Sequence, residues 1–146
     1  MIPTKLRKLY YKFRKMFFTR DRPDGPFFGV DADKDRVEKV LGMYHFGPSW
    51  TLSYKFRGEN VNLARVEYDY DGVTDIRWWQ VHVRGWQGDD GLMYLRGHYE
   101  PEPTEYPSEH LDGEGYDLER GMMELYRVLE HSDIRIVERV ADKLDL

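Results

Sequence analysis

The sequence predicts an α+β fold: a four-stranded antiparallel β-meander flanked by helices, with a basic amphipathic helix at the N-terminus. Three observations predict it. Apolar and polar residues alternate with period two through four segments joined by short turn-forming stretches. Apolar residues recur at helical spacing in segments before and after those four. The chain also carries Tyr 11, Phe 7 and Trp 4, and aromatic side chains favour strands.

The N-terminal segment 3–18 reads as a helix. Ile2, Leu6, Leu9, Phe13 and Phe17 recur every three or four residues, flanked by Lys5, Lys8, Lys12 and Lys15. Pro3 suits a first-turn position. Residues 20–29, Arg-Asp-Arg-Pro-Asp-Gly-Pro-Phe-Phe-Gly, read as a linker. A second helix is expected over 33–42, capped by Asp31 or Asp33, with Val37, Val40 and Leu41 as its apolar face and Gly42 ending it.

The first expected strand alternates Trp50, Leu52, Tyr54 and Phe56 with Thr51, Ser53, Lys55 and Arg57. Gly58-Glu59-Asn60 leads into the second, 61–69, where Ala64, Val66 and Tyr68 oppose Arg65, Glu67 and Asp69. Asp71-Gly72 is a turn signal. In the third, 76–84, Trp79, Val81 and Val83 oppose Trp78, Gln80, His82 and Arg84. After the turn at 87–91, the fourth, 92–99, sets Met93, Leu95, Gly97 and Tyr99 against Leu92, Tyr94, Arg96 and His98. An acidic, proline-bearing loop is expected from Glu100 to Gly115. A helix follows near Asp117, with Leu118, Met122, Leu125 and Leu129 on one face. Ser132 or Asp133 could cap a last helix reaching Leu144, although Ile134-Arg135-Ile136-Val137 fits a strand equally well.

A chain of 146 residues supports one domain with a real core. The reading divides it into a basic helical arm, 1–22, and a single α+β domain, 23–146. The absence of Cys excludes a disulfide framework, thiolate zinc sites and thiol catalysis, and fits a cytoplasmic protein. No apolar run is long enough for a transmembrane segment, and the N-terminus lacks the continuous apolar stretch of a signal peptide. There is no Gly-rich phosphate loop and no nucleophile elbow, so no cofactor is expected.

With ordinary meander registers, Glu67, His82, Arg84, Arg96 and His98 project from one open polar sheet face, with Lys55 and Arg57 further out. Imidazoles, guanidiniums and a carboxylate held together could cleave RNA. A base removes the 2′-hydroxyl proton, an acid protonates the leaving oxygen, and Arg offsets charge on phosphorus. Imidazole suits either proton role near neutral pH. The same pattern also fits a solvated face with cross-strand ion pairs. His98, Glu100 and His110 could converge on a metal if the acidic loop folds back. Their spacing matches no zinc signature, and no metal ligand is assigned. Asp69, Asp71 and Asp75 around Gly72 lack a calcium loop's ligand count, so a hairpin turn is the better reading.

The charge is uneven. In residues 1–22, Lys5, Arg7, Lys8, Lys12, Arg14, Lys15, Arg20 and Arg22 against Asp21 give +7; with −5 overall, the rest carries −12. Lys5, Arg7, Lys8, Lys12, Arg14 and Lys15 therefore form a candidate surface for nucleic-acid phosphates or an anionic membrane. Docking on a partner, or packing on the chain's own domain, would use the same apolar stripe.

From residue 77 onward the chain resembles the TumE-type toxins of toxin–antitoxin pairs. Trp78 to Val83 corresponds to that family's aromatic strand, residues 88–91 to its turn and Met93 to Arg96 to the next strand. The run His98-Tyr99-Glu100-Pro101-Glu102-Pro103-Thr104-Glu105-Tyr106-Pro107-Ser108-Glu109-His110-Leu111 is similar to the family's His-rich run, with Pro-Glu, Thr, Pro and His-Leu in order. Leu118 to Leu129 stands for the closing helix, and Gly58 to Glu67 is similar to an upstream hairpin. The likeness spans residues 50–130. The family's Asp-Asn-Ala stretch is absent, Tyr99 and Ser108 replace histidines, and residues 1–45 have no counterpart. The resemblance implies a small RNA- or translation-directed toxin, or a derived regulator, partnered by an antitoxin protein. His98 and His110 carry over as motif positions. The expected site is His82, Arg84, Arg96, His98 and His110. The alternative is a non-catalytic adaptor that binds an anionic membrane or nucleic acid through the basic helix.

Overall fold

The computed structural model describes residues 2–17, 19–49, 55–69 and 74–140, without the side chains of residues 11, 12 and 14–17. Most of the expected strand 50–57 and the Asp71-Gly72 turn lie outside the described residues, as does the segment after Val140. So do the side chains of Lys12, Arg14, Lys15 and Phe17.

The chain runs α1 (Thr4–Phe17), β1 (Thr19–Arg20), β2 (Phe27–Val30), α2 (Lys34–Met43), β3 (Gly47–Pro48), β4 (Lys55–Phe56), β5 (Val61–Tyr68), β6 (Trp78–Gln87), β7 (Met93–Pro101), α3 (Pro107–Asp112), α4 (Leu118–Glu130) and β8 (Ile136–Val140). Six strands make one antiparallel sheet in the order β3-β5-β6-β7-β2-β8. β1 and β4 form a separate two-stranded parallel pair.

The fold is α+β with an antiparallel sheet, but it is not a bare four-stranded meander. β5, β6 and β7 are consecutive neighbours. The place beside β5 belongs to Gly47–Pro48, and the described part of the expected first strand pairs instead with Thr19–Arg20. Two further strands lengthen the sheet. The supposed linker contains β2, whose Phe27, Phe28, Gly29 and Val30 are all buried. A short strand without polar residues has no alternation to reveal it, and breakers precede this one. Beside it, where a last helix was one of two readings, β8 pairs antiparallel with β2.

The apolar face carries the core. Val61, Leu63, Val81, Val83, Met93 and Leu95 are buried there against Met122, Leu125 and Leu129 of α4 and Val37 and Leu41 of α2. Each fully buried aliphatic side chain contributes roughly 1.5–3 kcal/mol. Both helices start on an Asp cap: Asp33 accepts from Arg36 N at 2.8 Å and Asp117 from Arg120 N at 2.9 Å. α4 approaches β7 closely, because glycine stands on both sides of the contact, at 97 and 121.

The opposite sheet face is covered as well. Gln80, His82 and Arg84 are 5%, 2% and 7% exposed, against the expectation of an open polar face. Residues 102–116, including α3, fold back over one end of it. At the other end, the Phe56 ring lies 4.5 Å from the Arg84 guanidinium. The strand faces follow the expected alternation, but the second is an interior surface.

Candidate functional site

Strand pairing alone brings the two central histidines together. Register sets His82 opposite His98, Gln80 opposite Glu100 and Arg84 opposite Arg96. The alternation of β6 and β7 then turns all six toward the second face. The imidazole centroids lie 5.0 Å apart.

Glu100 is the hub. Its Oε1 accepts from Gln80 Nε2 at 2.7 Å and lies 3.1 Å from His82 Nδ1 and 3.0 Å from His98 Nε2. Its Oε2 lies 3.4 Å from His110 Nδ1, which also lies 3.0 Å from the Pro101 carbonyl oxygen. A proton on that nitrogen satisfies both acceptors. Three imidazoles therefore surround one buried carboxylate. Two come from neighbouring strands and the third from α3, where Pro107 occupies the first turn.

A second set of bonds anchors His82 from behind. Arg84 donates to Glu59 Oε2 at 2.6 Å, Asn62 Nδ2 donates to Glu59 Oε1 at 3.1 Å, and Asn62 Oδ1 lies 2.6 Å from His82 Nε2. Burial pushes the His82 imidazole down to about 3, the Arg84 charge adds to this, and the bond to Glu100 opposes it. His82 is thus neutral near neutral pH. Burial works against ionisation of Glu100, yet His98, His82 and His110 together hold its carboxyl well below the usual range.

The cluster lines a cavity of about 1080 Å³, whose wall also includes Arg20, Arg84, Arg96 and Trp78. Arg96 reaches the Tyr116 hydroxyl, and the Tyr116 ring stacks on His98 with centroids 5.0 Å apart. Glu102, also in the wall, turns into its own loop, accepting from Thr104 N at 3.0 Å and Glu105 N at 2.8 Å.

The expected site residues His82, Arg84, Arg96, His98 and His110 therefore share one cavity. Arg84 is committed to Glu59. Glu67 does not join them. It pairs with Trp79, which puts it on the α4 face, where Arg65 binds both Glu67 and Glu124. One position of register explains this: Ala64 and Asn62, not Glu67, share the His82 face. Lys55 is exposed, and Arg57 reaches Asp21 at 3.3 Å on the surface. Asn62, Glu59 and Gln80 were not among the expected site residues, and Glu100 entered only in the metal alternative. Its signal was present: His98-x-Glu100 and Gln80-x-His82 are polar alternations opposite one another in strands whose other residues are apolar.

On α1, Lys5 is exposed while Arg7 and Lys8 are half-buried. Leu6, Leu9 and Phe13 are 54%, 62% and 54% exposed, although α1 touches α3. The last residues of the expected arm engage the domain. Arg22 lies 4.7 Å from the Phe27 ring centroid and 5.2 Å from that of Tyr94. No described helix is long and apolar enough to cross a membrane.

No protein-family model, curated protein or solved structure matches this chain.

Proposed function

We propose that the chain is an RNA-directed protein of the TumE-like toxin type, or a regulator derived from one, and that the histidine–glutamate cavity is its working site. One observation carries this reading: three imidazoles converge on a single buried carboxylate in a cavity whose wall also holds arginines. Phosphodiester cleavage needs a proton acceptor for the 2′-hydroxyl, a proton donor for the leaving oxygen and a cation for the charge on phosphorus. His98 and His110 would exchange the protons, oriented by Glu100. Arg96 would meet the phosphate. His82, neutral and buried, lies beside Glu100. Trp78, in the cavity wall and 42% exposed, offers a surface for a base.

Expression in a host cell tests the reading. Wild-type protein should arrest growth, and His98→Ala or His110→Ala should relieve the arrest at equal protein levels. Equal toxicity of all three would remove the site from the account. An antitoxin partner, if present, would relieve the arrest when co-expressed.

A second reading is supported by the exposed stripe Leu6, Leu9 and Phe13. Together with the basic residues of α1, it suits an interfacial helix on an anionic membrane, whose lipid would accept the apolar side chains. In that adaptor reading the cavity need not be catalytic.

A further inference from the structure

The hydrogen bonds around His82 turn one of its ring nitrogens toward Glu100 and the other toward Asn62. Asn62 fixes the polarity. Its Nδ2 lies 3.1 Å from Glu59 Oε1, and the other oxygen of Glu59 takes Arg84 at 2.6 Å. The side-chain amide nitrogen of Asn62 therefore faces Glu59, and the amide oxygen faces His82 Nε2 at 2.6 Å. At that distance Nε2 carries a proton. In a neutral imidazole the other nitrogen, Nδ1, then presents a lone pair. It presents that lone pair to Glu100 Oε1, 3.1 Å away. Both atoms can donate to a cation placed between them.

We propose that a divalent first-row transition-metal ion binds here, held by His82 Nδ1, His98 Nε2 and Glu100 Oε1. These ligand atoms all lie within 4.8 Å of one another. Two imidazole nitrogens and one carboxylate oxygen are a donor set for Zn²⁺, Co²⁺ and their neighbours. Tetrahedral bonds to zinc separate ligand atoms by about 3.3 Å. The carboxylate oxygen stands 3.1 Å and 3.0 Å from the two nitrogens, close to that separation, and the two nitrogens lie within 4.8 Å of each other. Asn62 is the positioning residue. By accepting the Nε2 proton it fixes the tautomer whose Nδ1 binds metal, a common way of orienting a histidine ligand. The fourth position would face the cavity.

The inference does not depend on RNA as substrate, because it follows from donor geometry alone. If both hold, His98 Nε2 is committed to the ion, His110 becomes the proton-transferring imidazole, and the ion joins Arg96 in offsetting phosphate charge.

Metal binding tests it directly, without RNA. Protein stripped with a chelator is titrated with Zn²⁺ by calorimetry and with Co²⁺ by visible absorption. One equivalent should bind, the thermal midpoint should rise, and Co²⁺ should give the visible bands of low coordination number. His98→Ala and Glu100→Gln should weaken Zn²⁺ binding by about a hundredfold or more. Asn62→Leu, which removes no ligand, should weaken it by roughly 10–100-fold. His131→Ala, outside the cluster, should leave it unchanged. No binding by wild type, or undiminished binding by folded His98→Ala, would overturn the site. Where variants fail to fold, Co²⁺-loaded wild type decides: paramagnetic displacement of the His82 and His98 ring resonances supports the site, and undisturbed resonances refute it.

Discussion

The backbone of His98 lies directly under Gly121 of α4: a Cβ added at residue 121 would stand 2.1 Å from the His98 Cα. The histidine is thus placed by a helix–strand contact on one sheet face while its ring works on the other. An alanine at 121 must push α4 away from β7. Gly121→Ala is expected to cost about 3 kcal/mol, at the upper end of ordinary overpacking, and to displace His98 from Glu100. Gly42→Ala is the matched control, since its Cβ would meet nothing within 4 Å. In that helix the change should be neutral or stabilise by up to about 1 kcal/mol. Urea unfolding of the two variants checks both; similar losses would contradict the close approach.

The Arg84–Glu59 pair is buried, with side chains 8% and 10% exposed at 2.6 Å separation. Burial draws the Arg84 pKa down, and the Glu59 charge opposes that. Removing the carboxylate leaves a buried guanidinium, 7% exposed, without its Glu59 partner. Glu59→Gln should destabilise by roughly 3–5 kcal/mol, whereas replacing both residues with apolar ones of similar volume should cost much less. Denaturant midpoints of the single and double variants measure the difference. Equal losses would mean that the pair is not what holds that end of the cavity closed.

Much of this fold was legible because β6 and β7 each bury one face under α4. The alternation of Trp79, Val81 and Val83 against Gln80, His82 and Arg84 survives in the structure, as do the Asp33 and Asp117 caps. What alternation cannot say is whether the polar face is wet. Here residues 102–116 cover it, turning an expected open surface into a cavity. β2 was illegible because Phe27, Phe28, Gly29 and Val30 include no polar residue, so no period marks it. The sequence marks the histidines more plainly than the hub, because Glu100 reads as the start of a loop and belongs to β7 in the structure.

The helix α1 sets a separate test. Its exposed Leu6, Leu9 and Phe13 predict that deleting residues 1–17 leaves the domain folded, with its unfolding midpoint little changed. Residues 19–22 must stay, since Thr19–Arg20 pairs with β4 and Arg22 packs over Phe27. If α1 binds anionic vesicles, the truncated protein should lose that binding. Leu9→Asp should lose it too, and binding should fall as salt rises. If α1 clamps nucleic acid instead, log affinity should fall linearly with log salt while Leu9→Asp changes little. A truncated chain that does not fold would make α1 structural.

The central claim is that the imidazole–carboxylate cavity acts on RNA. The most direct measurement is cleavage of a labelled RNA by the purified protein, beside the same sequence with 2′-deoxyribose at every position. The account predicts cleavage of the RNA alone, leaving 2′,3′-cyclic phosphate ends. It also predicts a rate loss of about 100-fold or more in folded His110→Ala, the scale of one acid–base group. An RNA left intact by wild type, or cleaved equally fast by wild type and His110→Ala, would contradict it.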